Sequence, residues 1–445
     1  MSGGFRQVVK ILCIIISALF FYRRTVKYGY IIDDFQVATH KRRNKLFDFW
    51  GQIRGHAYFQ PRVEHTITLL FHTLNSVLIY LALGANDVSF MAGMLFAVNP
   101  VNNQTSVWLS GKVYSVAVTM VLLGILFKPL YPLLYLFAGF YFSLNVLLTP
   151  LLFLFINPVW FVAFIPVFLL IFKKRVVVEP KRRYEGGTSW MREVSLRKLI
   201  ISIKTLGYYF RICLFPIKLA MCHQYLHVFG LSKKETEKWY TFDIYFWLGL
   251  GVLLTLATGL VLKWQVFGLF WFVVLMVQWC NFLVLNHPIC ERYAYMANVG
   301  LMYMVATVLM KVPYGTYIAV ALWTYYATKL WHFLPAYKNN LEYFKSGMEQ
   351  FDKVAINYNQ YGLELVRFNR PGTALETFND GLLCRPNDFR LNYNTANLLC
   401  SMSRFQEAVC YINRAEAALD KNNSYDTWKK QVDSIKATIH THTTQ

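Results

Sequence analysis

The chain has 445 residues, 56% of them hydrophobic, 17% aromatic and only 16% charged. Soluble domains of this total length need a far more polar surface, so the composition excludes a soluble enzyme and describes a polytopic membrane protein. The 45 basic residues exceed the 24 acidic ones to give a net charge of +21. On so apolar a background that excess argues against a nucleic-acid partner and suits anionic headgroups, lipid-linked phosphate or the positive-inside rule. The eight cysteines include no CxxC pair, so neither a zinc site nor a disulfide framework is indicated.

A spanning helix needs about 20 mostly apolar residues. On that measure the sequence predicts about eleven spans, near 8–22, 63–83, 88–99, 105–127, 130–149, 152–172, 199–218, 244–262, 265–285, 293–310 and 313–333. The first resembles a signal h-region, but Arg23, Arg24 and Lys27 follow it without a small-residue cleavage site, so it counts as a membrane helix. Lys173 to Lys198 carries nine basic residues against three glutamates, the mark of a cytoplasmic loop. An even number of spans before that loop puts the N-terminus on the cytoplasmic side, and an odd total puts the region after Trp331 outside. The same count places Tyr28 to Arg62, Asn99 to Thr105, Ala220 to Asp243 and Asn286 to Arg292 on the outer face. The expected fold is therefore all-α, with a membrane domain over 1–335 and a polar helical domain over 336–445.

The polar domain carries a repeat. Tyr358, Gly362, Ala374, Phe378 and Pro386 have the spacing of a tetratricopeptide unit, and steps of 34 residues lead from Gly362 to Ala396 and from Ala374 to Ala408. Two such units are too few to stand alone and need a neighbour to pack on.

Candidate chemistry lies in the membrane domain. Asp33 and Asp34 are adjacent carboxylates just past the first span, a pattern suited to a general base, a metal ligand, or a base with an orienting neighbour. The alternative is a solvated helix cap. His65, Thr68, His72 and Asn75 recur on one face of the second span, and Lys112, Ser115 and Thr119 on one face of the fourth; such side chains are costly in lipid and predict a water-filled or ligand-filled interior. Lys112 either snorkels or meets a phosphate. Arg292, beside Glu291, is either anchored by that carboxylate or oriented by it for a bidentate phosphate contact. Arg211 is a further cation near Leu214, Phe215 and Pro216. His223 and His227 stand four apart, but no third ligand is nearby, so no metal is assigned to them. Asn103 and Asn422 open formal N-glycosylation triplets, a pattern that arises readily by chance.

Taken in order, these residues resemble a known family. Asp33-Asp34, then Asp48 to Gly51, Phe71-His72-x-x-Asn75, Phe96 to Asn102, Ser110-Gly111-Lys112, Tyr209 to Pro216, Gly268 to Phe272 and Glu291-Arg292-Tyr293-x-Tyr295 resemble the transmembrane and tetratricopeptide-repeat O-mannosyltransferases. These belong to the C-type (GT-C) glycosyltransferases, which use lipid-linked sugars. The resemblance covers nearly the whole chain and departs at several points. Asn99 and Asn102 replace family histidines, Lys112 replaces an arginine, Asn145 stands where relatives have a Lys-Glu pair, and the loop reads Gln60-Pro61-Arg62 where many relatives have Tyr-Arg-Pro.

The resemblance implies an inverting transfer of one sugar, mannose or another hexose, from a polyprenyl-phosphate carrier to an acceptor hydroxyl on the outer or lumenal face. Protein Ser/Thr is the expected acceptor class, with the acceptor protein or peptide docked by the repeat domain. Asp33 or Asp34 is then the base. Arg292, Lys112, Arg211 and Arg62 are the candidate contacts to the donor phosphate, and His65, His72, Asn99, Asn102, Glu291 and Tyr295 line the substrate cavity. No cofactor beyond the lipid-linked donor is required; no third carboxylate accompanies the acid pair, and a divalent ion between Asp33 and Asp34 is the alternative. The compact loops point to a bacterial cytoplasmic membrane, with the endoplasmic reticulum as the other choice. A non-catalytic membrane-anchored repeat scaffold is the competing class.

Overall fold

The computed structural model describes residues 3–32, 34, 60–142, 146–156, 165–166, 168–169, 195–220, 241–281, 289–352, 354–419 and 425–443. Among the described residues all regular structure is helical. Two compact units divide them: one takes in the described residues up to Asn339 except Ala220, and the other takes in Ala220 and the described residues from Asn340 onward.

The first unit contains α1 (Gly3–Tyr22), α2 (Pro61–Ala82), α3 (Asp87–Val98), α4 (Lys112–Leu126), α5 (Tyr131–Phe142), α6 (Leu196–Leu214), α7 (Ile244–Val261), α8 (Phe267–Val277), α9 (Tyr295–Leu309) and α10 (Gly315–Phe333). Helical stretches based on α1, α2, α4 and α7 are each long and apolar enough to cross a membrane, the mark of a membrane protein. The span expected at 152–172 falls mostly outside the described residues, and so does the basic loop after it.

Local chemistry sets the helix ends. Pro61 opens α2, where its missing N–H costs nothing. Asn86 and Ser89 cap α3 reciprocally at 2.9 and 3.0 Å. Asp243 accepts from the backbone of Tyr245 and Phe246 at the start of α7. The sides of α1 then divide: Ile14, Ser17, Ala18 and Tyr22 are buried, while Val8, Leu12, Ile16 and Phe20 stay exposed. An apolar exposed side of this kind is what a helix presents to lipid.

Small residues bring these helices together, as expected where lipid offers no hydrophobic drive for association. A methyl on Gly207 would lie 2.0 Å from the Tyr245 carbonyl oxygen, and one on Gly249 would lie 2.0 Å from that of Ile203, so α6 and α7 touch backbone to backbone. Lys204 on α6 pairs with Asp243 at 2.8 Å. Gly268 and Gly300 do the same for α8 and α9, where the Trp271 indole donates to the Met296 carbonyl at 2.9 Å.

The second unit is a run of helical hairpins: α11 (Asn340–Gln350), α12 (Ala355–Arg367), α13 (Pro371–Cys384), α14 (Phe389–Ser401), α15 (Phe405–Ala417) and α16 (Tyr425–Thr443). Helices α14 and α15 begin 34 residues after α12 and α13 respectively. Gly362 admits the fully buried Phe378 ring, which would lie 2.2 Å from any added methyl. Ala374, Leu365 and Leu391 complete that core, and Ala396, Ala408, Ile412, Ala415 and Val432 form the next.

Candidate functional site

Two sets of buried polar side chains in the membrane unit bear on the expected site. The first joins α2, α3, α4 and α9. His72 Nε2 donates to the Ala97 carbonyl at 3.1 Å, and Nδ1 accepts from the Tyr295 hydroxyl at 2.9 Å. Asn75 donates to the Ser115 carbonyl and to Tyr295 Oη, while Thr119 donates to Asn75 Oδ1 at 2.7 Å. Every one of these side chains has a partner, so the group braces four helices and holds Tyr295 in a fixed orientation.

The second group lies toward the Pro61 end of α2. Asp34 is fully buried. Its Oδ1 accepts from both the backbone N–H and the hydroxyl of Ser110, at 3.1 and 3.0 Å, and its Oδ2 accepts from the Ile31 N–H at 3.2 Å. Just before it, Ile32 turns the chain with φ 52°, a left-handed conformation costly for a β-branched residue. A carboxylate that accepts these bonds is aimed and anchored, which suits it to hold the loop of Ser110 in place. Asp33 lies outside the described residues, as do the basic residues Lys41, Arg42, Arg43, Lys45 and Arg54.

Lys112 does not snorkel. Its Nζ lies 2.5 Å from Glu64 Oε2, with both side chains almost wholly enclosed. A carboxylate of the same unit therefore meets its charge. Glu64 carries no weight in the sequence-based expectations, yet a carboxylate on the same stretch of helix as His65 and Thr68 is itself a signal, because an unmatched one is too costly inside an apolar bundle. His65 Nε2 donates to the Gly29 carbonyl at 3.2 Å and ties the chain after α1 to α2.

Among the described residues Arg292 keeps an unmatched buried donor. Its backbone N–H donates to Gln104 Oε1 at 3.3 Å. Its guanidinium carbon stands 5.0 Å from the centre of the Trp108 ring and 5.2 Å from that of Tyr293, which is itself stacked on Trp279 at 4.2 Å. Glu291, beside it, is fully buried at the start of the same short helical turn. Arg292 Nη1 is buried with no hydrogen-bond partner among the described residues. Trp108 Nε1, Asn103 Nδ2, Thr105 Oγ1 and Asn298 Oδ1 share that condition, and they lie on two stretches that meet, 103–108 and 291–298. Buried polar atoms are nearly always paired, so such a concentration marks a place that water or a ligand completes.

The remaining expected site residues divide. Asn99 caps Val101 and donates to the Cys213 carbonyl at 2.9 Å, and Asn102 donates to the Phe96 carbonyl and accepts from Asn298, so both brace the turn after α3. Arg211 is half-buried, 6.0 Å from the Tyr245 ring centre, and Arg62 is exposed on the first turn of α2. Asn103 is fully buried and accepts from the Tyr22 hydroxyl, so it cannot carry a glycan. His223 and His227 lie outside the described residues. Among the described residues no group of three or more His, Cys, Asp or Glu is placed to hold a metal ion. Comparison with protein-family models, with curated proteins and with solved structures finds no match for this chain.

Proposed function

We propose that the protein is a membrane glycosyltransferase of the GT-C kind, transferring a hexose from a polyprenyl-phosphate carrier to an acceptor hydroxyl, with Ser/Thr of exported proteins as the acceptor class. The observation that carries this reading is Arg292, a buried guanidinium with a free donor, caged by aromatic rings and held beside a segment that is anchored through Asp34 and Ser110. Developing negative charge on a leaving phosphate is what such a preorganised cation stabilises.

The roles follow from the contacts. Asp34, already accepting from Ser110 and Ile31, is the orienting member of the acid pair, which leaves proton acceptance to Asp33. Arg292 binds the phosphate of the donor. Lys112, neutralised by Glu64, shapes the floor of the site, and Arg62 and Arg211 add attraction for the anionic carrier from its rim. A single displacement inverts the anomeric centre. The fuller architecture belongs to this proposal too: about eleven spans, the N-terminus in the cytoplasm, a bacterial cytoplasmic membrane, and an outward pair of tetratricopeptide units that receives the acceptor chain.

The test is an intact-mass comparison of exported proteins from cells carrying wild-type, Asp33→Asn or Arg292→Lys alleles. Asp33→Asn is expected to remove a hexose-sized increment, as a base worth about 10²–10⁴ in rate requires. Arg292→Lys is expected to reduce it through loss of the planar fork. An increment unchanged by either allele removes the enzyme and leaves the scaffold.

A further inference from the structure

The cage around Arg292 contains a second unmatched donor on an uncharged side chain. Trp108 is 5% exposed, yet its indole Nε1–H is buried without a hydrogen-bond partner among the described residues. Tryptophan is placed in interiors where its N–H finds an acceptor: the Trp271 indole in the same unit does so, donating to Met296 at 2.9 Å. The Trp108 ring faces the Arg292 guanidinium carbon at 5.0 Å, and Arg292 Nη1 is orphaned as well. Two buried donors on touching side chains, one of them cationic, call for one shared acceptor of negative charge.

The ring cannot turn away to water. Gly111 packs so closely behind this segment that an added methyl would lie 2.1 Å from the Gln104 carbonyl oxygen, which fixes 104–111 as a tight loop. Gln104 holds the Arg292 backbone from the same loop. Donor and cation are thus positioned before any ligand arrives, so little ordering remains to oppose binding.

We propose that the Trp108 indole N–H and Arg292 Nη1 together bind one phosphate group, the indole supplying a neutral donor that fixes the orientation of a phosphate oxygen. This rests on the reading of Arg292 as the donor-phosphate contact and adds a binding residue to it. The shared chemistry is a tetrahedral phosphate with anionic oxygens; it comes either from a polyprenyl phosphate or from free inorganic phosphate.

The experiment titrates the purified full chain in detergent with a polyprenyl phosphate in one arm and inorganic phosphate in the other. It compares wild type, Trp108→Phe and Arg292→Gln. Trp108→Phe keeps an aromatic face for the guanidinium and removes only the N–H; it is expected to weaken binding about tenfold in whichever arm binds, the effect of one hydrogen bond to an anion. Arg292→Gln is expected to abolish binding. If Trp108→Phe fails to fold, benzothienylalanine at position 108, which has the indole shape and no N–H, is expected to give the same tenfold loss. Wild-type affinity in the Trp108 variants with loss in Arg292→Gln overturns the second donor and leaves the Arg292 contact standing. Wild-type affinity in all variants, or no binding in either arm, overturns both.

Discussion

The two units of this protein place their ion pairs differently. In the hairpin unit most ion pairs stay near the surface: Glu416 bridges Lys429 and Lys436, and Arg404 pairs with Glu407, all on partly or fully exposed side chains, while the buried Glu364 is met by the exposed Arg367 and by Asn340. In the membrane unit the interior holds Asp34, Glu64 and Lys112 together with His72, Asn75, Asn99 and Asn102. Burying a charge costs several kcal/mol unless it is matched, by the general estimate for ion pairs in interiors (about 3–5 kcal/mol when one partner is lost). Position therefore carries different information in each unit. An exposed charge in the hairpins reports solubility, whereas a charge in the membrane interior stands against a penalty.

Breaking the buried pair is the sharpest way to test that difference. Lys112→Met takes the ammonium away from the buried Glu64 carboxylate and is expected to destabilise the chain in micelles by about 3–5 kcal/mol, with Glu64→Gln/Lys112→Met recovering much of the loss. Denaturant unfolding measures both, and a single variant as stable as wild type would deny the penalty. Tyr295→Phe comes next. It removes the hydroxyl shared by His72 and Asn75 and is expected to cost about 1–3 kcal/mol, the penalty for unmatched buried groups.

The smallest effect belongs to the hairpins. The Lys429 and Lys436 ammonium groups hold the Glu416 carboxyl down to about 2, below its ordinary 4.5. A depressed carboxylate stabilises above its unfolded value and loses that contribution as pH falls through its folded value. Hydrogen-exchange protection factors over 405–443, corrected for the intrinsic rate at each pH, are therefore expected to fall modestly between pH 4.5 and about 2, and Glu416→Gln to remove that dependence. An unchanged acid dependence in the variant would assign the effect to other groups.

Much of the hairpin unit is legible in the sequence because its period is short and each contact is local. Gly362 and Phe378 belong to one repeat, and the 34-residue step needs only counting. The four described helices long and apolar enough to cross a membrane are legible as apolar runs for the same reason. Periodicity on the second span also gives the side on which His72 and Asn75 stand. It cannot supply their partner, because Tyr295 lies 223 residues from His72. The Glu64–Lys112 pair is missed on similar grounds, each half being readable only as a lone polar residue until two distant helices meet. Trp108 is masked by its type, since an indole beside a membrane helix ordinarily reads as an interfacial anchor.

One consequence concerns mutational history. With a methyl at position 111 excluded by the Gln104 backbone, replacement of Gly111 demands a shift of the very loop that carries Gln104 and Trp108. A saturation library selected for function should therefore accept only glycine at 111, while tolerating change at exposed neighbours such as Phe127 and Leu130. The same residue then serves as a marker: a chain that has lost Gly111 will have lost the cage around its arginine, whatever else it retains.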